Sequence, residues 1–159
     1  MIILGIDPGT TTVGYSLIEA DSTGIKIIDF GVLKTAPKIN LEIKLLEIGN
    51  DLKELIKIHK VEKIVIEKLF FHSNVKTAID VAQARGVVLY EAIKHNLIIE
   101  EYTPLQVKKA ITGNGQADKN QLKNAIKILF GLEETPTYDD AADAIGMAYM
   151  GALNKNFLE

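Results

Sequence analysis

The chain contains no cysteine, which removes disulfides, thiolate metal ligands and a cysteine nucleophile from consideration. Arginine is almost as scarce, with Arg85 alone among 18 basic residues. Bidentate guanidinium readout of guanines is therefore disfavoured, and point-charge contact with phosphate is the natural use of the lysines. No apolar run approaches the roughly 18 residues of a membrane span, and the opening MIILGIDPGT lacks the basic flank and long apolar core of a secretory signal. A soluble protein of the cytoplasm is the expectation. Repeats, low-complexity tracts and linkers are also missing, so 159 residues, 47% hydrophobic and 25% charged, predict a single α/β domain spanning 1–159.

The net charge of −3 argues at first against a nucleic-acid ligand, but its distribution is uneven. Between Tyr102 and Ile128 stand Lys108, Lys109, Lys119, Lys123 and Lys127 against Asp118 alone. From Leu129 to Ile145 the only charges are Glu133, Glu134, Asp139, Asp140 and Asp143. A basic block thus abuts an acidic one.

Ile2 to Asp7 is an apolar run ended by an Asp-Pro-Gly turn, which predicts a buried strand. Thr11 to Ala20 and Ile25 to Thr35 predict two more, separated by an Asp-Ser-Thr-Gly turn. Leu41, Leu45, Ile48, Leu52 and Leu55 follow a helical period. A strand over Val61 to Glu67, a helix from Val75 to His95 and a strand over Leu97 to Tyr102 come next. A short helix near Val107, another opening at Asp118 and a last one, preceded by Pro136 and running to about Leu153, complete the chain. Three consecutive strands followed by alternation imply a mixed sheet with an antiparallel edge and helices on its faces.

The chemistry lies in carboxylates. Asp7 and Glu67 each end an apolar strand, where a charge needs a partner, a metal or an exposed strand end. Asp140 and Asp143 share one face of the last helix, among alanines and glycine that permit close approach. Together the four predict a hard-oxygen site for Mg²⁺ or Mn²⁺, with two ions spaced for in-line displacement at phosphorus. Each acid also has a plainer reading. Asp7 could open a turn, and Asp139 and Asp140 could serve the N-terminal dipole of a helix that Thr137 to Asp140 caps. Glu67 has no comparable structural purpose. Asp118, with Gln121 three residues on, is a strong N-cap, placing Lys119, Lys123 and Lys127 on one face opposite Leu122, Ile126 and Leu129. Such a face is commonly just solvated; the preceding Gly113-Asn114-Gly115-Gln116 loop favours a phosphate grip instead.

Four segments then carry a resemblance: GIDPGTTTVGY from Gly5, IVIEKLFF from Ile64, AQARGVVL from Ala82 and DDAADAIGMA from Asp139. In order and spacing they resemble the RuvC family of bacterial crossover-junction endodeoxyribonucleases. The resemblance implies an RNase H-like fold, a homodimer, a partnership with a branch-migration helicase, and Mg²⁺-dependent resolution of four-way (Holliday) junctions by paired nicks. It implies Asp7, Glu67, Asp140 and Asp143 as catalytic acids, Lys108 and Lys119 as active-site lysines, and Phe70 as an aromatic near the scissile site. Ala78, Ala82 and Gly86, at successive i+4 steps, would let a second helix approach closely. The acidic net charge is compatible with this, because two divalent ions would bring the balance to about +1.

Other readings compete. The segment from Gly5 to Thr12 also resembles the phosphate loop of actin-like and sugar-kinase ATPases, which need a second domain that the chain is too short to hold. A nuclease of the same fold acting on RNA precursors, and a junction-binding module without catalysis, differ from the leading reading in substrate and in nicking.

Overall fold

The computed structural model describes residues 1–68 and 75–154. Strand β1 (Ile2–Asp7) is followed by β2 (Thr12–Asp21), β3 (Gly24–Lys34), helix α1 (Leu41–His59), β4 (Lys63–Glu67), α2 (Val75–Lys94), β5 (Ile98–Tyr102), α3 (Pro104–Thr112), α4 (Lys119–Phe130) and α5 (Asp139–Leu153). The five strands form one sheet in the order β3-β2-β1-β4-β5. β1 and β2, and β2 and β3, pair antiparallel, whereas β1–β4 and β4–β5 are parallel. The mixed sheet with an antiparallel edge is therefore as the residue pattern predicts. The strand expected from Val61 begins two residues later, because Lys60 adopts a left-handed backbone that caps α1 and the Val61 amide donates back to the Ile56 carbonyl.

Strand alternation divides the core in two. Leu4 and Ile6 of β1, Val13 and Leu17 of β2, and Ile64 and Ile66 of β4 pack with Ile48, Leu52 and Ile56 of α1 and with Ala84, Val88 and Ala92 of α2. The residues between them, Ile3, Ile18, Ala20 and Val65, pack on the opposite face against Val107 of α3 and Met147, Ala148 and Ala152 of α5. Leu122 and Ile126 of α4 then cover Ala142 and Ile145 on the outer side of α5. Leu129, expected on that apolar side, is exposed.

Helix α5 lies on the sheet at backbone contact. A Cβ on Gly5 would come 2.1 Å from the Ala144 carbonyl oxygen and 2.6 Å from the Ala148 amide nitrogen, and one on Gly14 would come 2.0 Å from the Asp140 carbonyl oxygen. Alanine at either position must push the helix away. At its far end α5 is held by Lys63, whose Nζ donates to the Gly151 carbonyl at 3.2 Å and to Glu100 Oε1 at 2.6 Å. Glu100 also accepts from Tyr102 Oη and Asn154 Nδ2. A cation on the last turn is favoured by the helix dipole, and the buried lysine has the partners its burial requires.

Because the atoms in the way at Gly5 are backbone rather than flexible side-chain tips, Gly5→Ala should destabilise the chain by about 1–3 kcal/mol or more. Urea unfolding of the purified variant reads this directly. A midpoint equal to that of the parent chain would mean that α5 does not sit as close to β1 as described.

Candidate active site

The parity that builds the core also builds the site. In β1 the side chains of Ile3 and Asp7 face α5, with the bare Gly5 between them on the same face, and in β4 those of Val65 and Glu67 do the same. The parallel register pairs Ile6 with Ile66, so one step on, at the C-terminal ends of two adjacent strands, Asp7 and Glu67 stand side by side. Gly14 lies opposite Asp7 on β2. Having no side chain, it leaves room for the first turn of α5, which carries Asp140 and, one turn on, Asp143. Carboxylate oxygens of Asp7, Asp140 and Asp143 lie within 4.8 Å of one another. Glu67 adjoins the group, sharing a hydrogen bond with Asp7 and acting electrostatically on both Asp7 and Asp143. All four carboxylates singled out in the sequence are thus in one place.

The plainer readings of two of these acids are met only in part: Asp139 and Asp140 do lie in the first turn of α5, where the helix dipole favours them, but without the expected cap. The N-cap of α5 is Tyr138, and no side chain caps the helix, so the Thr137-to-Asp140 capping box is not formed. Asp7 ends its strand largely buried beneath α5, rather than facing solvent as a turn opener.

Packing these acids together is costly for the bare chain. Burial first, then the hydrogen bond and charge of Glu67, then the charge of Asp143, hold the Asp7 carboxyl far above the ordinary carboxylate range. Asp143 is pushed up to about 7, by burial and then by the charges of Glu67 and Asp140, against a smaller opposing pull from Lys119 and Lys108. Oxygen-only donors, converging and mutually repelling, fit a hard divalent cation, which relieves the repulsion that protonation would otherwise relieve.

Two capped helices bring cations to the rim. Thr103 and Gln106 form a capping box with Pro104 opening α3, which carries Lys108. Asp118 and Gln121 form the predicted box on α4, with Lys119 as its first residue. A cavity of about 170 Å³ is lined by Glu67, Lys108, Lys119 and Asp143, floored by Val107, Leu122 and Met147. Lys119 Nζ lies 3.1 Å from Asp139 Oδ2, which raises its pKa, the more distant Asp143 and Asp140 adding to the effect. Lys123, expected on a phosphate-gripping face, has its head engaged by Asp139 Oδ1 at 2.7 Å and the Thr137 carbonyl at 3.2 Å.

The remaining contacts were not foreseeable from residue type. Arg85 Nε donates to the Glu67 carbonyl at 3.4 Å and its guanidinium pairs with Glu101, so the lone arginine steadies the end of β4. Thr35 ties down the loop after β1 through Oγ1 to the Thr10 carbonyl at 2.7 Å, and Lys44 Nζ donates to Thr11 Oγ1 at 3.0 Å. Gly14 falls in the segment from Gly5 quoted above, but only its register opposite Asp7 gives it a role. Phe70, together with Phe71 and His72, lies outside the described residues.

A mixed β3-β2-β1-β4-β5 sheet with carboxylates at the ends of two central strands and on a helix laid across them defines an RNase H-like protein with an acidic centre whose donors suit a cation. Residues 3–150 match the family described as crossover junction endodeoxyribonuclease RuvC, and the chain belongs to that family. It is 46% identical to the RuvC of Petrotoga mobilis over 158 residues, covering 99% of this chain and 97% of that one. With the RuvC of Alkaliphilus metalliredigens it shares 45% over 157 residues, 99% and 96% of the two chains. The fold superposes on Thermus thermophilus RuvC with a TM-score of 0.84 at 28% identity, over 96% of this chain and 98% of that one. For the T. thermophilus RuvC solved in complex with a Holliday junction substrate the TM-score is 0.87 at 25% identity, over 99% and 96%.

The raised carboxyls make a pH prediction. An acid whose folded pKa exceeds its unfolded value of about 4 adds stability that is complete below that value and is lost as the pH rises through the folded pKa. For Asp143 this window runs from about pH 4 to about 7. In chelator, the melting temperature should fall across that window, and Asp143→Asn should flatten the fall. Saturating Mg²⁺ should raise the melting temperature more at pH 8 than at pH 5. An Asp143→Asn variant with an unchanged pH profile would overturn this account of the cluster.

Proposed function

We propose that this chain resolves Holliday junctions as a metal-dependent endodeoxyribonuclease, cutting two symmetric strands by phosphodiester hydrolysis. The observation that carries the reading is the convergence of Asp7, Asp140 and Asp143 within 4.8 Å, with Glu67 beside them, in a chain of the RuvC family.

Asp7, Glu67, Asp140 and Asp143 hold two Mg²⁺ ions, with Mn²⁺ as a substitute. Bound there, such ions supply Lewis acidity at the scissile phosphate and lower the pKa of attacking water. The chain's own groups do the rest. The carboxylates orient by their fixed positions on β1, β4 and α5, and the apolar floor of Val107, Leu122 and Met147 restricts water. Lys119 and Lys108 face the same cavity as Glu67 and Asp143 and place positive charge where the phosphate gains negative charge. Lys123 adds to the positive potential that DNA meets at that rim from its place beside Asp139. Phe70, three positions after Glu67 in the sequence, stacks on a base next to the cut, a contact worth about 1–3 kcal/mol.

Two coordinated nicks call for two such sites, and hence for a homodimer. Helix α2 supports this. Val75, Ile79, Tyr90 and Ile93 are exposed apolar residues along it, and at Gly86 a Cβ would meet nothing within 4 Å. The dimer works on four-way junction DNA together with a branch-migration helicase in the cytoplasm. No helix of the described residues is long and apolar enough to cross a membrane.

The test is incubation with Mg²⁺ and a mobile four-way junction, a plain duplex or an RNA/DNA hybrid, mapping nicks on sequencing gels. Symmetric nicks in the junction alone are expected; preference for the hybrid would move the reading to RNA. Asp7→Asn and Glu67→Gln remove an anionic ligand while keeping shape, so cutting should drop by orders of magnitude with folding intact. Near-normal cutting by Asp7→Asn sinks the mechanism. Phe70→Ala should cut fully paired junctions slowly and recover on junctions melted beside the cut. Equal impairment on both substrates rejects the stacking role. Sedimentation at micromolar concentration showing only monomer, with and without junction DNA, rejects the dimer.

A further inference from the structure

Asp139 precedes the carboxylate cluster by one residue, yet its oxygens do not join the group formed by Asp7, Asp140 and Asp143. Both of them are turned to α4 instead. Oδ1 lies 2.7 Å from Lys123 Nζ and Oδ2 lies 3.1 Å from Lys119 Nζ. The two lysines are unlike. The Lys123 side chain is 15% exposed and its ammonium also donates to the Thr137 carbonyl, so it is held from both sides and in turn fixes Asp139. The Lys119 side chain is 73% exposed, on the first residue of its helix. A lysine so exposed samples many rotamers of its four-carbon stem unless something directs its head.

We propose that Asp139 is a positioning residue: pinned through Oδ1 by Lys123, it holds the Lys119 ammonium at the mouth of the cavity shared with Glu67 and Asp143. The inference rests on the proposed part of Lys119 in cutting. The bridge joins the first turn of α4 to the first turn of α5, the turn that carries Asp140, so the cation and the carboxylates keep a common frame. It also sets a balance. A carboxylate beside two ammoniums weakens their attraction for DNA, while presenting one of them in the orientation the reaction uses. Grip and turnover are therefore affected by Asp139 in opposite directions. A residue that merely supported the fold would move both the same way.

Single-turnover cutting of a four-way junction over a series of protein concentrations separates the two quantities. For Asp139→Asn the maximal rate should fall roughly tenfold. The half-saturating concentration should stay level or drop up to about threefold. Asp139→Glu, which keeps the charge, should recover much of the rate. In the Lys119→Ala background the substitution should slow cutting no further, since neighbours acting through one group are not additive. Four results overturn the proposal. They are an unchanged maximal rate for Asp139→Asn, a rate loss accompanied by weaker binding, an additive loss in the double variant, and disappearance of the Mg²⁺-induced rise in melting temperature, which would make Asp139 a cation ligand. The parent reading is judged separately. If Lys119→Ala cuts at the normal maximal rate, that reading fails and takes the role of Asp139 with it. If Lys119→Ala is slow and Asp139→Asn is not, Asp139 alone is rejected.

Discussion

The close approach of α5 to β1 and β2 is the constraint on which the site depends. Gly5 and Gly14 let helix backbone meet sheet backbone, with the Ala144 and Asp140 carbonyls standing where a Cβ would be. Were side chains to stand between helix and sheet at Gly5 and Gly14, α5 would be pushed outward and the carboxylates of Asp140 and Asp143 drawn away from that of Asp7. Small residues along α5 complete the contact, with Ala144 and Ala148 buried against Gly5. The far end is anchored by Lys63 and Glu100, so the helix is held at both ends of its length and its first turn is presented rather than merely allowed.

The bare cluster stores electrostatic repulsion, and the fold has the means to bear it. Burial first, and then the neighbouring carboxylates, raise the pKa values of Asp7 and Asp143 above their ordinary range. Isolated charge in such a place would be expensive, and the fold offsets this with well-packed apolar layers on both sides of the sheet. Site and core are thus linked by alternation along the same two strands. A one-residue slip of β4 against β1 would turn Glu67 into the α1–α2 layer and Ile64 and Ile66 toward α5.

The two sides of the cavity are joined by ion pairs that cross between helices. α3 and α4 owe their starts to reciprocal capping boxes, local devices that fix where Lys108 and Lys119 begin. Asp139 then links α4 to α5. A net charge of −3 is compatible with a polyanionic partner on this arrangement, because the acids of the site are gathered in one cluster that suits cations while Lys108 and Lys119 line the cavity beside it.

Local signals in the chain were enough for the elements and for the four acids. Apolar runs ended by Asp7 and Glu67, a helical period from Leu41, and the spacing of Asp140 and Asp143 all depend on neighbours within a few residues, and each matches the structure. So does the N-cap at Asp118. What the sequence could not decide is whatever depends on distant partners. The Thr137-to-Asp140 pattern satisfies the rule for a capping box, but α5 opens at Tyr138 and Asp139 turns to α4, a choice made only once α4 lies alongside. Lys123 shares a helical face with Lys119, yet its head is enclosed by Asp139 and Thr137. Arg85 carries no local hint of its contact with the end of β4. Gly14 acquires its function from standing opposite Asp7 and beneath Asp140. Periodicity and capping are short-range and survive in one dimension; register, backbone approach and cross-helix charge pairing exist only after segments far apart in the chain have been packed together.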